Sequence, residues 1–265
     1  MRGAGKGPAV AALETVKAVN RTICLLEALA QHKELGLTDL AERAGMHKST
    51  VYRFLSSLKD LGYVHQNASN EKYSLTLKLF ELGSSVLGRM EIWEQAHPIL
   101  EQLAEQTRET IHLAVLDDGR LVYLGKFDST QALRVSMSSR IGQSAPAYCT
   151  GIGKLLLAHA PPELVESILD REGLRRFTDH TITDRTLLAR ELETIRRQGF
   201  AFDDEEHEVG VRCVAAPVRD RQGATIAALS VSMPSVRLTD SEIPRFRELV
   251  TQAANEISRR MGAAS

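Results

Sequence analysis

Two serines in the last third of the chain alternate with aliphatic residues, in the sequence Leu229-Ser230-Val231-Ser232. Successive side chains of a β-strand point to opposite faces, so both hydroxyls would lie on one face of a sheet. Cys213 falls on a neighbouring predicted strand, and Gly151-Ile152-Gly153 precedes a predicted helix whose unpaired N–H groups can bind a carboxylate. Small keto acids and sugar acids need such an anion donor together with hydroxyl partners, and Asp203 would accept hydrogen bonds from sugar hydroxyls. A hydrogen-bonded edge of the core is the alternative interpretation of the two serines.

Catalysis and metal binding fit the sequence less well. Cys149 would need His112 or His207 as its base, and no third residue that orients the base is recognisable. A metal site built from Asp203, His207 and a cysteine has no supporting spacing. The run 204–208 is instead typical of an acidic solvated loop, or of a loop that closes over a pocket. We therefore expect a protein that is not an enzyme and holds no cofactor or metal.

The Gly-Ile-Gly-Lys segment 151–154 is not a phosphate-binding loop. That motif requires a glycine where Tyr148 stands and a serine or threonine where Leu155 stands. Arg134 and Arg140 are candidate partners for a ligand carboxylate, although a solvated surface is the favoured interpretation of both.

A second set of polar residues shares one face of a predicted helix from Lys48 to Leu61. Its apolar face carries Val51, Leu55 and Leu58, with Phe54 and Leu61 beside them. Short hydroxyls and cations of this kind suit a helix that lies in the major groove of DNA. An ordinary helical hairpin with a solvated face is the alternative. The polar residues are Lys48, Ser49, Tyr52, Arg53 and Ser56.

The neighbouring segments favour the DNA-binding interpretation. A short helix over 38–44 is predicted to begin at Thr38 as N-cap and to end at Gly45, which can take a positive φ. The segments 62–66 and 71–75 read as a β-hairpin, the wing of a winged helix-turn-helix. A helix over 16–31 completes the core through four apolar residues: Ile23, Cys24, Leu26 and Ala30.

The rest of the chain predicts an α+β domain with an antiparallel sheet. We expect a flexible tail over 1–15, the winged helix over 16–75, a linker helix over 76–88 and a second domain over 89–265. The linker helix either packs on its own domain or, as we favour, pairs with its copy in a second subunit. Strands are predicted at 111–116, 121–124, 133–137, 200–202, 211–218 and 225–232, with helices on one side at 91–109, 154–160 and 183–198 and after a capping box at Thr239–Glu242.

Composition supports a DNA-binding part on an acidic body. Residues 1–80 carry 11 lysines and arginines against 7 acidic residues, whereas the remainder carries 22 against 27. The three cysteines form no CxxC pattern, which is typical of free thiols in a reducing compartment. No apolar run reaches the ~20 residues of a membrane helix, and the start of the chain does not read as a signal peptide. We expect a soluble cytoplasmic protein.

Several blocks of the chain resemble the IclR family of bacterial transcriptional regulators. They are the segments 48–55, 71–83, 151–154, 202–207 and 210–215, so the likeness spans nearly the whole chain. Within the family, the first two blocks are most similar to the branch that regulates the catabolism of 2-keto-3-deoxygluconate and pectin. His47 departs from that branch, which has serine at this N-cap position, so operator preference could differ.

The resemblance implies a winged helix-turn-helix joined by a helix to a GAF-like effector-binding domain. It also implies homodimers, often tetramers, on palindromic operator DNA. The implied polar pocket residues are Gly151, Ile152, Asp203, Cys213, Ser230 and Ser232, and the implied apolar wall is Met137, Ala145 and Val211. For DNA we expect Ser49, Thr50, Tyr52 and Arg53 near bases, Lys48 and Lys72 near phosphates, and Thr38 and Ser56 beside them.

Together these features predict a repressor of sugar-acid catabolic genes that a small carboxylic acid releases from its operator. An activator of the same family that responds to an aromatic acid is one alternative. An enzyme that binds a metabolite and carries an accessory DNA-binding domain is another.

Overall fold

The structure, a computed structural model, describes residues 16–87, 91–134, 139–142 and 144–263. The chain forms two compact units that divide between Val86 and Leu87. The predicted tail over 1–15 and the predicted pocket residue Met137 lie outside the described residues. No helix within the described ranges is both long enough and apolar enough to cross a membrane.

The first unit contains three helices, a β-hairpin and a fourth helix. They are α1 (Lys17–Ala30), α2 (Leu37–Arg43), α3 (Lys48–Asp60), β1 (Val64–Gln66), β2 (Tyr73–Leu75) and α4 (Lys78–Leu87). The two strands pair antiparallel, with Val64 opposite Leu75. The predicted helix-turn-helix followed by a wing is therefore confirmed.

A small apolar core holds the first unit together, and α1 enters it by a face that only partly matches the prediction: Leu26 packs against the core, whereas Ala30 is exposed. Leu25 and Leu29 are 0% and 1% exposed, whereas the predicted core residue Ile23 is 47% exposed. Because α1 is apolar on most of its circumference, helical periodicity alone does not select the inner face. Leu61 is also misplaced by the prediction, because α3 ends at Asp60 and leaves Leu61 exposed.

The predicted N-cap of the short helix is wrong by two residues. Thr38 lies within the first turn of α2, and Gly36 holds the N-cap position without a side-chain hydrogen bond. The reason is the extended backbone before it: Leu35 and Tyr73 exchange two backbone hydrogen bonds, at 3.0 and 2.8 Å. This bridge to β2 fixes the point from which the helix can start. Gly45 has the expected positive φ, 60°.

The start of α4 is bonded to the end of α3. The Lys78 ammonium donates to the Leu61 carbonyl at 2.7 Å and lies 4.8 Å from the centre of the Tyr63 ring. The Thr76 hydroxyl donates to the Gly62 carbonyl, also at 2.7 Å. A cation at the last carbonyls of a helix satisfies unpaired acceptors and interacts favourably with the helix dipole.

The second unit combines six strands with five helices in the described ranges. They are α5 (Glu91–Thr107), β3 (Thr110–Asp117), β4 (Arg120–Phe127), β5 (Ser144–Ala145), α6 (Gly151–His159), α7 (Pro162–Glu172), α8 (Arg185–Gln198), β6 (Ala201–Asp204), β7 (Val211–Arg219), β8 (Thr225–Pro234) and α9 (Ile243–Arg260).

The strands form one antiparallel sheet in the order β5-β4-β3-β8-β7-β6, so the predicted antiparallel α+β architecture is confirmed. Helices cover both faces and not one side only. Alternate residues such as Leu229 and Val231 pack with α5 and α9 in one core cluster, while Ala215 and Ala228 on the other face pack with α6 and α8 in a second. Alternate residues of each strand therefore belong to two different hydrophobic cores, one on each face of the sheet.

Two elements of the second unit were not predicted. Helix α7 starts at Pro162, directly after the helix predicted over 154–160, which the two prolines at 161 and 162 would be expected to end. Proline at the first position of a helix loses no hydrogen bond, so the same residue can end one helix and begin the next. The two-residue strand β5 is too short to have a periodic signal; it pairs with β4 through Ala145 and Leu121.

Two predicted elements are corrected. Leu133 and Arg134 are not in a strand, and residues 135–137 of that prediction lie outside the described residues. The capping box at Thr239 is wrong, because α9 begins at Ile243 and the Thr239 hydroxyl contacts that of Ser241 at 2.9 Å instead. Proline in the first turn of α9 fixes its start, as it does in α7.

Gly153 permits the close approach of α6 to the segment before it, which leads to a test of this packing. A Cβ at this position would lie 2.3 Å from the Ala147 carbonyl oxygen. We expect Gly153→Ala to lower the free energy of unfolding by about 1–3 kcal/mol, because backbone must shift to admit the methyl group. The matched control Gly83→Ala, in a helix with open space around it, should not destabilise the protein. Equal thermal unfolding temperatures for Gly153→Ala and wild type would contradict this packing.

Candidate functional site

Helix α3 presents a polar face to solvent because its opposite face fills the core of the first unit. Val51 and Leu55 are fully buried. Lys48, Ser49 and Arg53 are exposed, and Tyr52 is 55% exposed. The other two predicted contact residues on this helix are half-buried: Thr50 and Ser56.

The cations of this face are not engaged by the protein itself. Within the described residues, neither Lys48 nor Arg53 forms an ion pair, and no side-chain hydrogen bond involves Tyr52. His47 precedes the helix as N-cap, with no side-chain hydrogen bond. Lysine and arginine left unpaired on an exposed helix are free to bind phosphate oxygens or base edges.

The wing and the start of α2 carry the two remaining residues that are predicted to contact DNA. Asn67 orders the wing turn by accepting from the N–H and the hydroxyl of Ser69, at 2.9 and 2.7 Å. Lys72 remains half-exposed, with its ammonium 3.9 Å from a Glu34 carboxylate oxygen. Thr38 is exposed in the first turn of α2.

A cavity of about 160 Å³ opens in the second unit, beside the N-terminal end of α6. Its size is comparable to that of engineered protein cavities that hold a benzene-sized molecule. Its lining comes from strands β3 to β8, from residues 139, 146 and 150, from the first turn of α6 and from the loop after β6. The lining residues are His112, Tyr123, Ser139, Ser144, Ala145, Pro146, Thr150, Ile152, Asp203, His207, Glu208, Val211, Cys213, Ser230 and Ser232.

The register of the sheet brings the polar residues together. Asp203 pairs with Cys213, and Cys213 pairs with Ser232, so these three residues form one row across β6, β7 and β8. Ser230 pairs with His112 on β3, two positions along the same face. Directly paired residues on neighbouring strands share a face of the sheet. The expected alternation of the two serines is therefore what aligns them with the cavity.

Seven of the nine predicted effector residues line this cavity: Ala145, Ile152, Asp203, Val211, Cys213, Ser230 and Ser232. Gly151 lies behind the wall, where a Cβ would come within 2.7 Å of the Cys213 sulfur. Met137 lies outside the described residues. The predicted set is thus largely assembled in one place, and its role in ligand binding stays a prediction.

The N-terminal end of α6 differs from the expectation of a bare anion site. Thr150 is its N-cap, and its hydroxyl oxygen accepts from the Gly153 N–H at 3.2 Å. The Gly151 N–H is hydrogen-bonded to the Cys213 sulfur and lowers the pKa of that thiol, although burial, the larger effect, raises it well above its usual range. Two of the three expected N–H groups are therefore already used inside the protein.

Asp203 is the most perturbed carboxyl group of the cavity. It is 5% exposed, and its carboxylate accepts from the Glu206 N–H at 2.9 Å. The Cys213 thiol approaches its other oxygen at 3.7 Å. Burial raises the pKa of Asp203 to about 7, against the opposing attraction of the Lys154 ammonium.

A buried ammonium supports this wall from behind. Lys154 on α6 is 1% exposed and donates to the Phe202 carbonyl at 2.8 Å and to the Glu206 carboxylate. Glu191 on α8 approaches it at 3.3 Å. Burial alone would lower the pKa of Lys154, but Glu206 and Glu191 raise it above its usual value. Lys154 thereby connects α6, α8, β6 and the loop that carries His207 and Glu208.

His112 and Tyr123 belong to the cavity, and sequence reasoning did not place them there. Burial lowers the pKa of His112 to about 3, so its ring is neutral, and its Nε2 lies 2.8 Å from the Ser139 hydroxyl. The rings of His112 and Tyr123 are 5.0 Å apart. The signal for His112 was its position in a predicted strand, two residues from Ala114 on the same face.

The described residues give no geometric support to a Cys149 nucleophile, to arginine partners for a ligand carboxylate or to a metal site. Cys149 is buried in the core beside α6 and does not line the cavity, and burial raises the pKa of its thiol, which disfavours the nucleophilic thiolate. Arg134 and Arg140 are exposed and also lie outside the lining. No group of three His, Cys, Asp or Glu side chains in these ranges is arranged to hold a metal ion.

Comparison with known proteins identifies both units. Residues 18–68 match the IclR helix-turn-helix domain, and residues 84–259 match the C-terminal domain of bacterial IclR transcriptional regulators. The chain is 44% identical over 249 residues to the HTH-type transcriptional regulator KdgR of Escherichia coli K12, with 94% of each chain covered.

Solved structures of the same family superpose on the chain. The IclR protein of Thermotoga maritima is 32% identical, with a TM-score of 0.74 and coverage of 93% of this chain and 97% of that one. An IclR homologue from Microbacterium hydrocarbonoxydans, in complex with 4-hydroxybenzoate, is 28% identical, with a TM-score of 0.81 and coverage of 94% and 100%. The chain belongs to the IclR family of bacterial transcriptional regulators.

Proposed function

We propose that the chain is a repressor of sugar-acid catabolic genes, which a small carboxylic acid of the 2-keto-3-deoxygluconate type releases from operator DNA in the cytoplasm. The observation that carries the proposal is the cavity of the second unit, where Asp203, Cys213, Ser230 and Ser232 form one polar wall. The 44% identity to KdgR favours the sugar-acid class of ligand. The protein would act by binding its ligand and not by converting it.

For DNA we propose that α3 lies in the major groove. Ser49, Thr50, Tyr52 and Arg53 would contact bases, with Lys48 and the wing residue Lys72 on phosphates. Thr38 and Ser56 would support the backbone contacts from either side. The unpaired cations and exposed hydroxyls of this face support the assignment.

We further propose that the chain acts as a homodimer, or as a tetramer of two such dimers. Phe80 and Leu77 at the start of α4 are 71% and 78% exposed, and Val19 and Ile23 of α1 are 57% and 47% exposed. Apolar surface of this extent on short helices favours burial against a second copy. Ligand would release the operator by binding more tightly to the arrangement of subunits that fits DNA less well.

The charges of the cavity define how an acid could be bound. No lysine or arginine is among the described lining residues, whereas Asp203 and Glu208 are. A ligand carboxylate beside an ionised Asp203 would be repelled, but a protonated Asp203 would donate a hydrogen bond to it. The raised pKa of Asp203 makes the protonated form accessible near neutral pH.

A second candidate is an activator that responds to an aromatic acid. The solved relative in complex with 4-hydroxybenzoate, and the half-apolar lining with Ile152 and Val211, favour this alternative. The third is an enzyme with an accessory DNA-binding unit. Incubation of purified protein with 2-keto-3-deoxygluconate distinguishes the classes: release of operator with recovery of unaltered acid supports the repressor, and turnover supports the enzyme.

The substitution Arg53→Ala tests the DNA-reading face. We expect specific operator binding to weaken by about 1–3 kcal/mol if Arg53 makes a bidentate base contact, with a smaller effect on non-specific DNA. Arg197→Ala removes an exposed arginine of α8 and serves as the matched control. Operator titrations at one fixed salt concentration measure both, and unchanged affinity for Arg53→Ala would remove this residue from the proposed face.

The double substitution Ser230→Ala and Ser232→Ala tests the cavity. We expect induction by the acid to be abolished, because the ligand loses two hydroxyl partners, while operator binding without ligand is unchanged. Electrophoretic mobility shifts with and without the acid measure both quantities on one sample. A double variant that still responds to ligand would place the effector site elsewhere.

The pH dependence of ligand binding tests the role of Asp203. The carboxylic acid form is required, so affinity for an anionic ligand should be constant below about pH 7 and fall roughly tenfold per unit above it. Asp203→Asn keeps a neutral side chain and should flatten this profile. Calorimetric titrations between pH 5.5 and pH 8.5 provide the measurement. Affinity that rises with pH would show that Asp203 binds in its ionised form.

A further inference from the structure

Two hydroxyl groups of the cavity have no partner in the protein. Tyr123 on β4 is 7% exposed and Ser230 on β8 is 1% exposed, and both line the cavity. Neither side chain forms a hydrogen bond with any other described residue. Because both side chains line the cavity, their hydroxyls are open to it and can hydrogen-bond to water or to a ligand that enters.

Tyr123 and Ser230 both neighbour His112. His112 is paired with Ser230 across β3 and β8, and its ring lies 5.0 Å from the ring of Tyr123 at an angle of 43°. Its own Nε2 is occupied by the Ser139 hydroxyl at 2.8 Å. His112 therefore packs between the two residues and orients the tyrosine ring without competing for its hydroxyl.

The Tyr123 hydroxyl is a hydrogen-bond donor at any physiological pH. Burial raises the pKa of Tyr123, and the negative charges of Asp203 and Glu208 raise it further. Asp203 and Glu208 line the same cavity as Tyr123. An anionic ligand needs neutral donors here, because the described lining contains no lysine or arginine.

We propose that Tyr123 is a ligand-binding residue that, together with Ser230, donates hydrogen bonds to the carboxylate of the effector. The assignment rests on the proposed function and adds to it the group that selects an acid over a neutral analogue. The two hydroxyls take the place that a cation has in other carboxylate sites. They act together with the protonated Asp203, which is the third donor to this carboxylate.

Titration calorimetry of the full-length protein with 2-keto-3-deoxygluconate and with its primary amide tests this assignment. Tyr123→Phe should weaken binding of the acid about 10- to 100-fold, since hydrogen bonds to charged groups are the stronger ones, and should weaken binding of the amide much less. Ser230→Ala should show the same preference. Tyr148→Phe is the matched control, because its hydroxyl donates to the Arg175 carbonyl at 2.7 Å outside the cavity, and it should leave the acid-to-amide ratio unchanged.

Three results would overturn the assignment. Equal affinity of Tyr123→Phe and wild type for the acid would show that the phenol does not contact the ligand. Equal losses for acid and amide would assign Tyr123 to packing and not to the carboxylate. If the wild type binds neither this acid nor 4-hydroxybenzoate, the proposed function itself is wrong and the inference fails with it. Thermal unfolding of Tyr123→Phe should match the wild type, because no protein hydrogen bond is removed.

Discussion

The ligand-binding unit depends on one buried charge. Lys154 is almost completely enclosed, and its ammonium is satisfied only because the Phe202 carbonyl and the carboxylates of Glu206 and Glu191 surround it. Removal of one partner from such a group leaves an uncompensated buried charge, at a cost of about 3–5 kcal/mol. The strand end, the loop after it and two helices must therefore keep one relative position, and that position is the one that defines the cavity wall.

This arrangement separates the charged part of the unit from the part that faces a ligand. The lysine lies behind the wall, whereas the described cavity lining holds a neutral histidine, hydroxyls and a carboxyl group of raised pKa. A lining with these polar groups and with Glu208, but without a cation among its described residues, favours ligands that bring their own hydroxyls over hydrocarbons, which cannot satisfy buried donors. The first unit has the opposite character, with cations on an exposed helix face and apolar residues inside.

The sequence was sufficient for most elements and for the polar row, because strict alternation places Ser230 and Ser232 on one face. The pairing of His112 with β4 was not predictable, because a register shift between Leu113 and Ala114 sets Lys126, and not Gly125, opposite His112. Such a bulge has no periodic signal in the sequence. Pro162 was ambiguous because proline both ends and begins helices. The burial of Lys154 could not be predicted either, because its ion-pair partners lie 37 and 52 positions away in the sequence and local patterns do not reveal them.

The hydrogen bonds between the start of α4 and the end of α3 have a mechanical consequence. Lys78 and Thr76 donate hydrogen bonds to the carbonyls of Leu61 and Gly62, respectively. Helix α4 continues to Leu87, where the second unit begins. A tilt of α4 must therefore either break these two hydrogen bonds or move the C-terminal end of α3 with it. Within the first unit, a rotation of the start of α4 is therefore transmitted to the last turn of α3.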